Sequence, residues 1–408
     1  MRSTLNSLQN LKIKIPSLWS LLAALESRDF MNFNWILIRY GEISLKSDYV
    51  RRSFEDRLIN NIRKGLETRG INGKVERGYG RIFIRTEQTK EAIEVLKRTF
   101  GIVSFSPCKK IEASLQEITD NLAELGKENI EEDQSFAVRA RRTGNHDFSS
   151  KDVEEEAGRN IIEDTGAEVD LDNPDERVMA DIRQGQCYIF REKIDGPGGL
   201  PLGTQGNVLS LFRGNCSSFL ATWMMMKRGC SVTLIHGKMG PYAEEENIEK
   251  ALEELKKWSH GSPIELLEFN HGDKIFNISE SSEKGYVCTL CKRYLYKLAS
   301  RISERKGCKA IITGDHLYED MDMMKFEDSA VEIPIIRPLV GMDESKIRSK
   351  CEDIAGKSLL KGDKCEAKDR GNSKVNKEKL EEIESRINIK SMVEEGIEEM
   401  AENEETGS

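Results

Sequence analysis

The chain has 408 residues, nine cysteines, a formal net charge of −9 and 38% apolar residues. That length suggests two or three domains, and the apolar share is enough for real cores. The acidic balance argues against uniform coating of nucleic acid, the cysteines lack the spacing of a secreted disulfide scaffold, and no apolar run is long enough to span a membrane, so a reducing cytoplasm is the expected setting.

Taken in chain order, residues 1–30 read as an N-terminal extension. Within it "SLWSLLAALES" follows Lys12 and Lys14 but lacks the small-residue cleavage site of a secretory signal. Residues 31–110 begin with a strand, Trp35 to Tyr40, and a helix closed at Gly70. "KVERGYGRIFIRT" alternates like one half-buried strand, "KEAIEVLKRTFGI" is a second helix, and "VSFSPCKKI" is another strand. This β-α-β-α-β order suggests a small ferredoxin-like α+β domain. The segment carries 17 Lys/Arg against 9 Asp/Glu, which fits a nucleic-acid partner held at one end and equally a solvated charged surface.

Residues 111–195 make a second unit. Helix "SLQEITDNLAELGKEN" leads to strand "SFAVRARRTG", then a helix with Ser149 or Ser150 as N-cap, then strands "RVMADIR" and "QCYIFREKI". A Gly/Pro-rich linker, 196–206, marks a boundary. Over 207–400 strands and helices alternate through "VLSLF", "SVTLIHG", "IELLEFN", "KAIITGDH" and "IPIIRPL", and 401–408 form an acidic tail. That rhythm is a doubly wound parallel sheet, which binds ligands at the carboxyl ends of its strands.

Four segments hold residues suited to chemistry. "FAVRARRTGNHDFSS" sets Arg139, Arg141 and Arg142 on a strand end, Asn145 and His146 in the turn, and Lys151 at the opening of the next helix. Alternation sends Arg139 and Arg141 to one face, and guanidinium groups beside a helix N-terminus suit phosphates. Composition by itself favours the other reading, a surface strand salt-bridged to the glutamates of the following helix. "CTLCKR" places Cys288 and Cys291 in a C-x-x-C at a loop-to-helix junction, open to reading as a redox dithiol, half a metal site, or chance. Cys365 supplies a third thiol. Three thiolates can hold three irons of a cubane cluster and leave one open, whereas zinc normally takes a fourth ligand. "FRGNCSS", residues 212–218, is a strand-to-helix turn where a phosphate loop belongs, yet it has a single glycine. Gly314 and Asp315 end "IITGDH" and either face a nucleotide or form a plain turn. Cys108, Cys187, Cys216, Cys230, Cys308 and Cys351 share no spacing and read as buried fillers.

Together "IRYGEISLKS", "FAVRARRTGNHDFSSKDVEEEAG", "VDLDNPD", "EKIDGPGGLPLGTQG", "MMMKRGC", "CTLCKRYLYKLA" and "IPIIRPLVGMDE", in this order, resemble the tRNA 4-thiouridine synthetases, or tRNA sulfurtransferases, over most of residues 33–400. The resemblance implies a multidomain α+β and α/β chain: a ferredoxin-like domain, a THUMP RNA-binding domain and a PP-loop ATP pyrophosphatase domain. It implies tRNA as the partner, a homodimer, and ATP with magnesium, which adenylates uridine 8 before sulfur displaces AMP. It names no sulfur donor. Many bacterial members carry a C-terminal rhodanese domain, which is not expected in this chain. Many archaeal members instead hold an iron–sulfur cluster on a C-x-x-C plus a distant cysteine, and Cys288, Cys291 and Cys365 fall on those catalytic, metal-binding positions. Leu211, Phe212, Gly214, Ser218, His236, Gly237, Arg293, Gly314 and Asp315 fall on or beside the family's nucleotide contacts. Arg139, Arg141, Arg142, Asn145, His146 and Lys151 fall in its RNA-binding segment.

Two segments depart from the family pattern. The family's S-G-G-x-D-S loop, aligned on Trp223, is here Arg213, Gly214, Asn215, Cys216, Ser217 and Ser218, so the loop aspartate has become Ser217. The family's G-D-S-L-G-Q-V-A-S-Q-T is here "GDHLYEDMDMM", which keeps Gly314, Asp315 and Leu317 but replaces a glutamine by Met323. The expected activity is formation of 4-thiouridine at position 8 of tRNA. The alternative is a catalytically impaired tRNA-binding homologue acting as a non-enzymatic partner or chaperone.

Overall fold

The computed structural model describes residues 33–45, 47–242, 248–283, 285–316, 321–359, 365 and 376–406. The N-terminal extension and Leu317 lie outside the described residues. Contacts divide the chain into two compact units, one holding Pro107–Phe190 and the other Ile36–Ser106 with the chain from Arg191 onward.

In chain order come β1 (Trp35–Tyr40), α1 (Asp48–Thr68), β2 (Lys74–Gly78), β3 (Arg81–Arg85), α2 (Thr89–Leu96) and β4 (Ile102–Glu112), of which Ile36–Ser106 belong to the second unit. Their sheet order is β2-β3-β1-β4. The run "KVERGYGRIFIRT", expected as one strand, is a hairpin: β2 and β3 pair antiparallel across Tyr79–Gly80, with Gly78 opposite Arg81. Alternation continues on both sides of a two-residue turn, so the pattern alone does not reveal the reversal. The correction makes the order β-α-β-β-α-β, that of the ferredoxin-like motif.

The unit of Pro107–Phe190 contains α3 (Leu115–Asn129), β5 (Ser135–Thr143), α4 (Ser150–Thr165), β6 (Glu168–Val169), β7 (Glu176–Arg183) and β8 (Gln186–Phe190). The end of β4, Lys109–Glu112, pairs with β8, and the order continues β8-β7-β5-β6. Ile118 and Leu122 of α3 and Val153 and Ile161 of α4 close over Phe136, Val138, Val178 and Ile182 of the sheet. Ser149 is the N-cap of α4 and forms a reciprocal capping box with Asp152.

After the short β9 (Ile194–Asp195), which pairs with β4, come β10 (Asn207–Leu211), α5 (Cys216–Lys227), β11 (Ser231–Lys238), α6 (Ile248–Lys256) and β12 (Glu265–Asn270). They continue with α7 (Gly272–Ser281), α8 (Val287–Lys306), β13 (Ile311–Ile312), α9 (Met321–Asp328), β14 (Ile335–Ile336), α10 (Glu344–Ala355), α11 (Lys377–Arg386) and α12 (Ile389–Thr406). The five strands β12-β11-β10-β13-β14 are all parallel. Consecutive strand residues serve opposite cores. Val208, Leu234 and Ile312 pack with α5, α6 and α10, whereas Leu209, Ile235 and Ile311 pack with α8, α11 and α12. A strand buried on both faces reads as a continuous apolar run, as "VLSLF" does. Helices on both faces leave the carboxyl edge of the sheet open for a site.

Candidate nucleotide and sulfur site

The turn after β10 is built from Phe212 to Asn215. Phe212 is buried, and its carbonyl is 3.0 Å from His236 Nδ1, itself buried at the end of β11. Gly214 takes φ 75°, which a side chain would resist, and so lets the chain swing into α5. Asn215 is the N-cap of α5: its side-chain oxygen accepts from Ser218 N at 3.0 Å. Ser218 Oγ in turn accepts from Arg213 N at 3.1 Å. Gly314, just past β13, lies directly against this turn, and a Cβ there would stand 2.7 Å from Ser218 N. The two retained glycines, one in each altered segment, thus have separate reasons, a backbone conformation and a close approach.

Asp315 is held by Thr313 Oγ1 at 2.9 Å and Tyr296 Oη at 3.3 Å. Lys292 lies between Asp315 at 3.4 Å and Glu327 at 3.3 Å. Burial disfavours the lysine's charge, but Asp315 and Glu327 outweigh it and hold its pKa above the ordinary value. Arg293, expected at the nucleotide, is bound by Glu384 of α11, 2.6 Å and 3.1 Å, and also donates to Ser329 Oγ and the Phe326 carbonyl. It ties α8 to α11 and to the end of α9.

The C-x-x-C sits in the first turn and a half of α8, with Cys288 and Cys291 half-buried, as is Cys365. Burial pushes the Cys291 thiol up to about 12; the neighbouring Cys365 and Cys288 add to this, and Arg213 and Lys292 oppose it. The fold therefore brings electrostatic influence from both other cysteines and from the turn of Arg213 to one sulfur. Among the described residues no set of three His, Cys, Asp or Glu side chains is closed tightly enough to hold a metal ion. The remaining six cysteines are buried.

His271 was not among the expected site residues. It follows β12, is 3% exposed, and its Nε2 is 3.1 Å from Cys291 Sγ. Its ring stacks on Tyr294 at 5.6 Å and 5°. Burial pushes the imidazole down to about 3, with Arg213 and His236 adding to the effect. A signal was present in the sequence: His-Gly closes β11 at His236–Gly237 and recurs after β12 at His271–Gly272, on neighbouring strands at the ligand-binding edge.

The basic segment lies in the other unit. Arg139, Arg141 and Arg142 of β5 are exposed, as is Asn145, while His146 is half-buried with Nε2 against the Gln184 carbonyl. Arg139 donates to the Leu171 carbonyl and Arg142 to that of Gly144. Among the described residues none of the three arginines is ion-paired with a carboxylate, so the salt-bridged strand is not what forms. Lys151 does pair, with Glu155 at 3.2 Å.

Residues 203–389 match the family described as thiamine biosynthesis protein (ThiI), residues 35–106 the ThiI ferredoxin-like domain and residues 112–192 the THUMP domain. A probable tRNA sulfurtransferase of Methanobrevibacter smithii is 35% identical over 347 residues, covering 82% of this chain and 89% of that protein. The chain belongs to the tRNA sulfurtransferase family. As a family member it also resembles two solved structures. One is a 4-thiouridine synthetase–RNA complex with bound ATP, at 25% identity and TM-score 0.79, covering 89% of this chain and 97% of that one. The other is PH1313 from Pyrococcus horikoshii, at 31% identity and TM-score 0.64, covering 78% and 99%. Among the described residues of this tRNA sulfurtransferase-family chain, no helix is long and apolar enough to cross a membrane.

Proposed function

We propose that this chain binds tRNA and forms 4-thiouridine at position 8, acting in the cytoplasm as a homodimer. The carrying observation is the set of contacts at the carboxyl edge of one parallel sheet: the Phe212–Ser218 turn meets His236 and Gly314, and His271 after the neighbouring strand meets Cys291. The exposed arginines Arg139, Arg141 and Arg142, with Asn145, His146 and Lys151, take the tRNA backbone. Leu211, Phe212, Gly214, Ser218, His236, Gly237, Gly314 and Asp315 receive ATP, with magnesium, and Arg293 holds the neighbouring helices in place. The uridine C4 oxygen is a poor leaving group. Its attack on the α-phosphorus releases pyrophosphate and turns it into part of a phosphate ester. A sulfur nucleophile then bonds to C4, and the oxygen departs with AMP.

Cys288, Cys291 and Cys365 would hold an iron–sulfur cluster that supplies the sulfur-handling chemistry when bound. The donor set is three half-buried sulfurs, two of them in the first turns of α8, and soft sulfur ligands of this number suit iron. His271 orients the Cys291 sulfur. The test is mass spectrometry of position-8 uridine in tRNA from cells lacking their own enzyme and expressing only this chain. Thiolated uridine that disappears with Cys291→Ala supports the proposal, and unmodified uridine with the unaltered chain refutes it. Iron and sulfide lost on Cys288→Ala support the cluster, and full activity without iron rejects it. One observation favours the second reading, a tRNA-binding partner without adenylation: Asn215 already occupies the Ser218 amide. That reading requires tRNA binding with no tRNA-dependent ATP–pyrophosphate exchange.

A further inference from the structure

The turn after β10 directs two amide donors inward. Arg213 N serves Ser218 Oγ and Ser218 N serves the Asn215 side chain. A phosphate loop keeps such groups for its ligand, so this turn has less backbone capacity to offer an anion. The side chain of Arg213 has the opposite character. It is exposed, its one hydrogen bond among the described residues is a weak one to Met239 Sδ at 3.6 Å, and no described carboxylate pairs with it. Met239 directly follows β11, and His271 N donates to the Lys238 carbonyl at 2.8 Å, so the guanidinium lies at the carboxyl end of β11 beside the His271 segment. His271 is buried there, with Nδ1 bonded to no described group. A permanently charged fork with nearly all its donors unused, beside the N-terminus of a 12-residue helix, suits a phosphate group.

We infer that Arg213 binds the phosphates of the nucleotide, replacing with one side chain the charge and donors that the altered turn no longer offers from its backbone. The inference rests on the ATP-dependent reading above. The substitution of arginine for the family's serine is then a change in how phosphate is held, and the asparagine cap is its structural counterpart.

The test is equilibrium binding of ATP, inorganic pyrophosphate and adenosine to the full chain by calorimetry, for the unaltered protein, Arg213→Ala and Arg213→Gln. Retained adenosine binding and an unchanged urea midpoint serve as the folding control. One lost charge-assisted contact should weaken ATP and pyrophosphate at least about tenfold while adenosine is unaffected. Arg213→Gln keeps much of the side chain's length but not its charge, and should show the same selective loss even if Arg213→Ala fails to fold. Equal ATP affinity in the unaltered and variant chains overturns this inference alone. So does equal weakening of ATP and adenosine, which would indicate a general disturbance. If the unaltered chain binds no ATP, the inference and the ATP-dependent reading fall together.

Discussion

Gly314→Ala tests the contact on which the proposed nucleotide site depends. The new Cβ would stand 2.7 Å from Ser218 N, 2.8 Å from Ser217 C and 3.0 Å from Ser218 Cα. All three are backbone atoms of the first turn of α5, so no side chain can rotate out of the way. The φ of Gly314 lies outside the left-handed region, and the penalty is therefore steric rather than torsional. Relief requires the end of β13 and the start of α5 to separate by several tenths of an ångström. Overpacking of this kind costs roughly 1–3 kcal/mol. The urea midpoint should fall, and tRNA-dependent ATP–pyrophosphate exchange should fall by tenfold or more, because small misplacements of a reacting group have large kinetic effects. Gly158→Ala is the control. It lies inside α4, nothing stands within 4 Å of its added Cβ, and helix propensity should stabilise it by about 0.5–1 kcal/mol. Unchanged stability and exchange in Gly314→Ala would refute the steric argument. Lost stability with intact exchange would refute its link to catalysis.

Arg141→Ala with Arg142→Ala should weaken tRNA binding in gel shifts across a salt series. The slope of log affinity against log salt should become shallower by about 1–2, and an unchanged slope would place the tRNA contact elsewhere. Asn215→Ala removes the cap from Ser218 N and should lower stability by about 1 kcal/mol in urea titration; no loss would mean that the cap contributes nothing. Burial holds His260 down to about 4, against 6.5 in the unfolded chain. Its stabilising contribution is complete above about pH 6.5 and is lost as pH falls through the folded value. Between those limits the unaltered chain should lose on the order of 2 kcal/mol that His260→Gln does not lose, measured by denaturation at each pH. Parallel pH curves would refute this assignment.

The doubly wound domain was legible because its strands are buried on both faces. Val208 and Leu209 are both apolar, and so are Leu234 and Ile235, since each member of a pair serves a different core. Ser149 and Gly70 marked helix ends through local chemistry that needs no distant partner. The hairpin at Tyr79–Gly80 was not legible, because period-two alternation is the same in one strand as in two joined by a two-residue turn. In the glutamate-rich C-terminal part of the sequence charge stands out, yet Leu380, Ile383, Ile389, Met392, Val393 and Ile397 pack beside α8. A helix's exposed charges dominate its composition, while its few buried residues decide where it packs.

By itself the sequence determined the domain order, the alternating parallel-sheet pattern, the cysteine set and the identity of every residue in the Phe212–Ser218 turn. Those properties are local or repeat at a fixed period. Only the tertiary structure decided that Gly314 lies against the Asn215–Ser218 turn and that His271 meets Cys291. These are contacts between ends of different strands and helices. No regular spacing along the chain encodes them, because the crossovers of a parallel sheet bring together residues of any sequence separation.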